Sequence, residues 1–99
     1  MPQTQLTLDG LQQLMVRQLK RRGFYSLKET EILLRLVAEV GEVCEAVREK
    51  QSKMNLSYEM VDVLWMLLIL AEKRKISLSE AFLEKLRINE GRKRQKKNI

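Results

Sequence analysis

The chain has 99 residues, of which 44% are hydrophobic and 32% charged, with one proline and four glycines. This size allows one domain with a single core, and the composition is too apolar for a disordered chain and too poor in turn residues for a many-stranded β fold. The formal charge of +6 lies mostly at the C-terminus, because residues 91–99 hold five basic residues and no acid, which leaves +1 for residues 1–90. We therefore expect an all-α domain whose folded part is nearly neutral.

Two helices are predicted in the first half of the chain. The first covers residues 8–22, with Thr7 or Asp9 as its N-cap and apolar side chains at helical spacing. The second begins after Ser26, because Ser26 and Glu29 match the S-x-x-E capping box, and it continues to about residue 50.

Two further helices are predicted in the second half. The third follows the loop "QSKMNLS", has Asn55 or Ser57 as its N-cap and runs to about residue 75. A second capping box, Ser77 with Glu80, opens the fourth helix, which runs to about residue 89. Short connections imply antiparallel neighbours, so the predicted subunit resembles a four-helix bundle.

The third helix is apolar on nearly every side. Its apolar side chains are Val61, Val63, Leu64, Trp65, Met66, Leu67, Leu68 and Leu70. Such a helix must be enclosed all round, and three short partner helices in a chain of this length cannot do that. We therefore predict that it is the central helix of a homodimer or a dimer of dimers; a monomeric mass in light scattering at micromolar concentration would contradict this.

The C-terminal segment is expected to differ from the rest of the chain. Residues 1–92 are predicted to form the single domain, and residues 93–99 a disordered basic tail. The basic residues at this end are Arg92, Lys93, Arg94, Lys96 and Lys97. A solvated end is the common role of such a run, and contact with RNA, DNA or an acidic partner is the alternative.

Features of the chain as a whole point to a cytoplasmic protein. The single cysteine, Cys44, cannot form an internal disulfide, and the first ten residues do not resemble a signal peptide. The longest unbroken apolar run, residues 63–71, is shorter than the roughly 20 residues that span a bilayer. We expect no membrane partner.

Four carboxylates stand where apolar residues would be expected. Glu39 and Glu42 are three residues apart on the second helix, and Glu59 and Asp62 are three apart on the third. Residues at this spacing lie about 60° apart on one helix face, so two antiparallel helices can bring all four together. Aspartate within an apolar helix is rarely buried without a partner. Glu45 continues the row and is either part of the cluster or a solvated side chain.

Converging anions repel each other unless a cation neutralises them. The chain contains no histidine, and Lys or Arg does not alternate with the four carboxylates at matching turns. Oxygen ligands without histidine or clustered cysteine suit a hard divalent cation, which predicts Mg²⁺ first, Mn²⁺ second, and argues against zinc.

Three blocks of sequence carry a resemblance to a known family. "LVAEVGEVCEAV", "YEMVDVLWMLLILA" and "LSEAFLEKLRINEGR" occur in the order typical of all-α nucleoside triphosphate pyrophosphohydrolases of the MazG type, over residues 8–92. The last block resembles the family's Lys-x-x-x-Asn-x-x-Arg ending in Lys85, Asn89 and Arg92. The family motif often begins with two adjacent glutamates, and here Ala38 replaces the first.

The resemblance implies cleavage of a nucleoside triphosphate between its α and β phosphates, as part of nucleotide-pool house-cleaning. By resemblance, Mg²⁺ is held by Glu39, Glu42, Glu59 and Asp62. Either Glu42 or Glu45 would orient or deprotonate the attacking water.

Other residues would bind the substrate. Lys85 and Arg92 would contact phosphates, with Asn89 as a hydrogen-bonding neighbour. Trp65, one turn beyond Asp62, is a candidate wall for the base, although packing is the more common role of an aromatic side chain. The alternatives are an enzyme resembling phosphoribosyl-ATP pyrophosphohydrolase and a non-enzymatic helical dimer that binds nucleic acid through its tail.

Overall fold

Four α-helices make up the computed structural model, which describes residues 7–22 and 26–92. The helices are α1 (Leu8–Arg22), α2 (Glu29–Arg48), α3 (Lys53–Lys73) and α4 (Leu78–Gly91). These ranges contain no β-strand, which confirms the all-α fold class and the number of helices. The predicted tail at residues 93–99 lies outside the described residues.

The first and last helices begin where the sequence predicts. The Thr7 hydroxyl accepts a hydrogen bond of 2.9 Å from the Gly10 N–H at the start of α1. The Ser77 hydroxyl accepts one of 3.2 Å from the Glu80 N–H at the start of α4. Both side chains satisfy an N–H group that the first helical turn leaves unpaired.

The predicted starts of α2 and α3 are wrong. The N-cap of α2 is Lys28, whose N–H donates to the Glu31 carboxylate at 2.9 Å, so the box based on Ser26 is not formed. The N-cap of α3 is Ser52, whose hydroxyl accepts from the Asn55 N–H at 3.1 Å. The predicted cap Ser57 instead donates to the Lys53 carbonyl within the helix, at 2.8 Å. Several adjacent residues can serve as a cap, and the path of the loop decides which one does.

The core lies between α1, α2 and α3, because α3 packs against both other helices. Its buried side chains are Met15, Leu19, Ile32, Met66, Leu68 and Ile69. Ile32 and Leu68 are the largest side chains with almost no exposed surface, and burial of each contributes about 1.5–3 kcal/mol to the hydrophobic stabilisation.

A bidentate ion pair joins the start of α2 to the end of α3. The Arg74 guanidinium donates to both carboxylate oxygens of Glu29, at 2.6 and 3.0 Å. The hydrogen bond from Arg74 lowers the pKa of Glu29. Together with the packing of α2 along α3, this contact shows that the two helices run antiparallel, so the second half of α2 lies beside the first half of α3.

The fourth helix is attached to the others through its first turn. It packs against α1, where the Ser79 hydroxyl accepts from the Asp9 N–H at 3.2 Å. The Ser77 hydroxyl donates to the Asp9 carboxylate at 3.3 Å. All residues of α4 from Glu80 onward are exposed, including the apolar side chains of Phe82, Leu83, Leu86 and Ile88.

α3 is long and apolar enough, by length and composition, to cross a membrane. Core helices of soluble proteins pass the same test, and α3 packs against α1 and α2. Val61 and Leu67 remain exposed on α3 in the single chain. Its enclosure in a larger assembly stays a prediction.

Candidate active site

Three carboxylates converge between α2 and α3. Oxygen atoms of Glu39, Glu59 and Asp62 all lie within 4.8 Å of one another. Glu39 and Glu59 are half-buried, whereas Asp62 is exposed. The group is therefore open to solvent on one side and backed by protein on the other.

Core packing explains why these side chains meet. On α2, Glu39 lies three residues after Leu36 and seven after Ile32, on the stripe that faces the core. On α3, Glu59 and Asp62 lie on the same stripe as Met66. The carboxylates thus extend the apolar contact between two antiparallel helices. Burial of the neighbouring apolar side chains holds the three anions together despite their repulsion.

Two further glutamates of α2, Glu42 and Glu45, act on this group electrostatically. Burial raises the pKa of Glu59 from its ordinary value of 4.5, and the charges of Glu42, Asp62, Glu39 and Glu45 raise it further. Glu42 is exposed and Glu45 half-buried, and neither belongs to the group within 4.8 Å. Both lie close enough for their charges to act on Glu59, and the direct ligation of a metal by Glu42 stays a prediction.

The three converging carboxylates fit a hard divalent cation. The ion pairs defined within residues 7–22 and 26–92 are Glu29–Arg74 and Glu84–Arg87, and neither involves the group. Three anions this close present several oxygen ligands to one point, which is the donor set that Mg²⁺ and Mn²⁺ prefer. The chain has no histidine to favour another metal.

The contribution of Glu59 to the stability of the metal-free protein should fall as the pH rises. Because the pKa of Glu59 is raised, the folded chain binds this proton more tightly than the unfolded chain. Ionisation of Glu59 therefore destabilises the folded state progressively from about pH 4.5 through the raised pKa. Glu59→Gln should melt at a higher temperature than the parent at neutral pH, and the difference should disappear in acid.

Thermal unfolding followed by circular dichroism in EDTA, at several pH values, measures this difference. Glu90→Gln, at an exposed position of α4, serves as the control and should match the parent. A lower melting temperature for Glu59→Gln at neutral pH would show that the Glu59 carboxylate stabilises the fold.

The predicted phosphate-binding residues lie on a different part of the fold. Lys85, Asn89 and Arg92 are exposed, the first two on α4 and the third at its C-cap. Within the described part of the chain, α4 packs against α1 and makes no comparable contact with α2 or α3. The single chain therefore does not bring these three residues and the carboxylates into one packed unit, and their role stays a prediction.

Trp65 lies one turn after Asp62 and is half-buried against the core. It also lines a cavity of about 230 Å³ between α1, α2 and α3. Arg35, on α2, also lines this cavity. The sequence pattern did not single out Arg35. It could have been found from its spacing, since it lies four residues, or one helical turn, before Glu39.

The fold and the site together define a class of protein: an all-α protein in which an ExxE helix lies antiparallel to an ExxD helix, with three carboxylates converging between them. The MazG nucleotide pyrophosphohydrolase domain family matches residues 27–95, which is more than half of the chain. The chain belongs to this family. No curated protein and no solved structure gives a significant match.

Proposed function

We propose that this protein is a Mg²⁺-dependent nucleotide pyrophosphohydrolase that converts ribo- or deoxynucleoside triphosphates to the monophosphate and pyrophosphate. A cytoplasmic role in removing unwanted nucleotides would fit this reaction. The observation that carries the proposal is the convergence of Glu39, Glu59 and Asp62, within 4.8 Å, in a chain of the MazG family.

The carboxylates would hold the metal and prepare the water. When bound, Mg²⁺ supplies charge neutralisation for phosphate oxygens and lowers the pKa of a coordinated water. Glu39, Glu59 and Asp62 are the ligands that the geometry supports, with Glu42 as the predicted fourth. Glu45 or Glu42 would accept the proton of the attacking water, since both lie close enough to affect Glu59 electrostatically.

The negative charge of the phosphates calls for cationic side chains, and Lys85 on α4 and Arg92 at its C-cap are the predicted ones. The side chains of Lys85 and Arg92 make no hydrogen bond or ion pair with a described residue. Their donors are therefore available to phosphate oxygens, and Asn89 can add a hydrogen bond. Because α4 packs against α1 in its own chain, we propose that these residues act in the site of a second copy.

A homodimer, or a dimer of dimers, would also cover apolar surface that the single chain leaves open. Leu34 and Val37 on α2 are 72% and 71% exposed, and Phe82 and Leu83 on α4 are 58% and 61% exposed. Side chains of this kind, arranged along helix faces, are typical of interfaces between subunits. The second copy would bring α4 to the carboxylates and bury these side chains together.

Pyrophosphate release from each of the eight common ribo- and deoxynucleoside triphosphates, with and without Mg²⁺, tests the proposed reaction. We expect Mg²⁺-dependent release from at least one of them, with the monophosphate as the second product. Release from phosphoribosyl-ATP alone would favour the alternative substrate. The absence of release from every triphosphate in the presence of Mg²⁺ would refute the hydrolase.

A further inference from the structure

The cavity between α1, α2 and α3 begins one helical turn from the carboxylate group, on both α2 and α3. Its volume of about 230 Å³ is below the roughly 300 Å³ at which pockets for drug-sized ligands begin. A single ring system therefore fits, and a whole nucleotide does not. Arg35 and Trp65 each lie one helical turn from a carboxylate of the candidate metal site, on antiparallel helices. A base in this cavity would leave its phosphates beside Glu39 and Asp62.

The lining of the cavity combines apolar walls with a small number of hydrogen-bonding groups. Trp65 and Met66 supply apolar surface from α3, while Gln18, Arg22 and Arg35 supply polar groups. This combination is typical of small-molecule pockets. A second cavity, which Trp65 also lines, is formed by residues of α1 and α3 alone, so Arg35 takes no part in it.

Arg35 differs from Gln18, the other lining residue whose side chain makes no hydrogen bond with a described residue, because its free groups can only donate. It is exposed and makes no hydrogen bond or ion pair with another described residue. A guanidinium group only donates hydrogen bonds, whereas the Gln18 amide can both donate and accept. The keto oxygen of a base can accept a hydrogen bond from Arg35. An amino group at the same position of a base would direct its N–H toward the N–H groups of Arg35, so neither donor would have an acceptor.

We infer that this cavity binds the nucleobase and that Arg35 makes it select keto bases, guanine and uracil or thymine, over the amino bases adenine and cytosine. This inference rests on the proposed function, because it treats the carboxylates as the phosphate end of the same site. Gln18 and Arg22 precede residue 27, so this side of the cavity is built by a helix outside the range that the MazG family matches.

Trp65 is the only tryptophan in the chain, so its fluorescence reports on ligand binding without catalysis. It lines both cavities, and the Arg35 variants show which of them is occupied, because Arg35 lines only the first. We expect the monophosphates GMP and UMP to quench the fluorescence of the 99-residue chain saturably, with dissociation constants about fivefold to tenfold lower than those for AMP and CMP. Arg35→Gln should remove this preference, because an amide can serve either kind of base, and Arg35→Lys should retain part of it.

Arg48→Gln is the matched control, because Arg48 is exposed on the same helix and does not line the cavity. It should leave the preference unchanged, and circular dichroism should show equal helix content in all variants. Equal dissociation constants for the four monophosphates, no saturable quenching, or a preference that survives Arg35→Gln would overturn the inference.

Pyrophosphate release separates this inference from the proposed function. The ratio of kcat/KM for GTP and UTP to that for ATP and CTP should fall in Arg35→Gln and stay constant in Arg48→Gln. If both variants turn over triphosphates with the same kcat/KM ratio, Arg35 does not select the base, and the proposed hydrolase activity is unaffected. No turnover of any triphosphate would refute the hydrolase, and the fluorescence titration would still decide whether the cavity binds keto bases.

Discussion

Asp62→Asn should abolish pyrophosphate release while preserving the helices. The substitution keeps the size of the side chain and removes one of the three charges that lie within 4.8 Å. Replacing groups that only support metal ligands already costs about 10- to 100-fold, so the loss of a ligand should lower kcat/KM by more than about 100-fold. Asp62 is exposed, and its substitution should therefore leave the core intact.

Three measurements make this prediction specific to the metal site. Calorimetric titration with Mg²⁺ should show weakened binding, assays at millimolar Mn²⁺ should recover little activity, and circular dichroism should be unchanged. Glu90→Gln, which also neutralises an exposed acidic side chain, should keep the activity of the parent. If Asp62→Asn unfolds, Asp62 has a structural hydrogen-bonding role instead. If the variant keeps full activity, Asp62 is not part of the metal site.

Two inactive variants should restore activity when they share a dimer. Asp62→Asn damages the carboxylate group, and Lys85→Ala removes a predicted phosphate contact on α4. If each site combines the carboxylates of one copy with α4 of the other, half of the dimers formed at random are mixed, and one of the two sites in each mixed dimer is intact. Co-expression of the two variants should therefore recover about a quarter of the parental activity.

The matched control is the co-expression of Asp62→Asn with Glu59→Gln, which should remain inactive because every site then contains a damaged carboxylate group. Light scattering must show a dimer or larger assembly in all samples. A monomeric mass, or no recovery with the Lys85→Ala pair, would refute the completion of the site by a second copy. If Lys85→Ala alone has normal activity, Lys85 does not contact the phosphates.

Much of the local structure could be predicted because local interactions decide it. The all-α class follows from composition and apolar spacing, and Ser77 caps α4 as expected, since its hydrogen bond reaches only three residues along the chain. The starts of α2 and α3 were less predictable. Lys28 and Ser52 occupy the cap positions, and neighbouring serines or asparagines offered equivalent hydrogen bonds.

The sequence by itself determined that Glu39 and Glu42 share one face of a helix and that Glu59 and Asp62 share one face of the next, because helical periodicity is a property of the chain. Only the tertiary structure decided which of them meet. The register of α2 against α3, set by buried side chains such as Ile32 and Leu68, brings Glu39 to Glu59 and Asp62 and leaves Glu42 outside the close group. The same packing places Arg35 beside Trp65 and α4 against α1. These juxtapositions join residues far apart in sequence, so they depend on packing that no local pattern encodes.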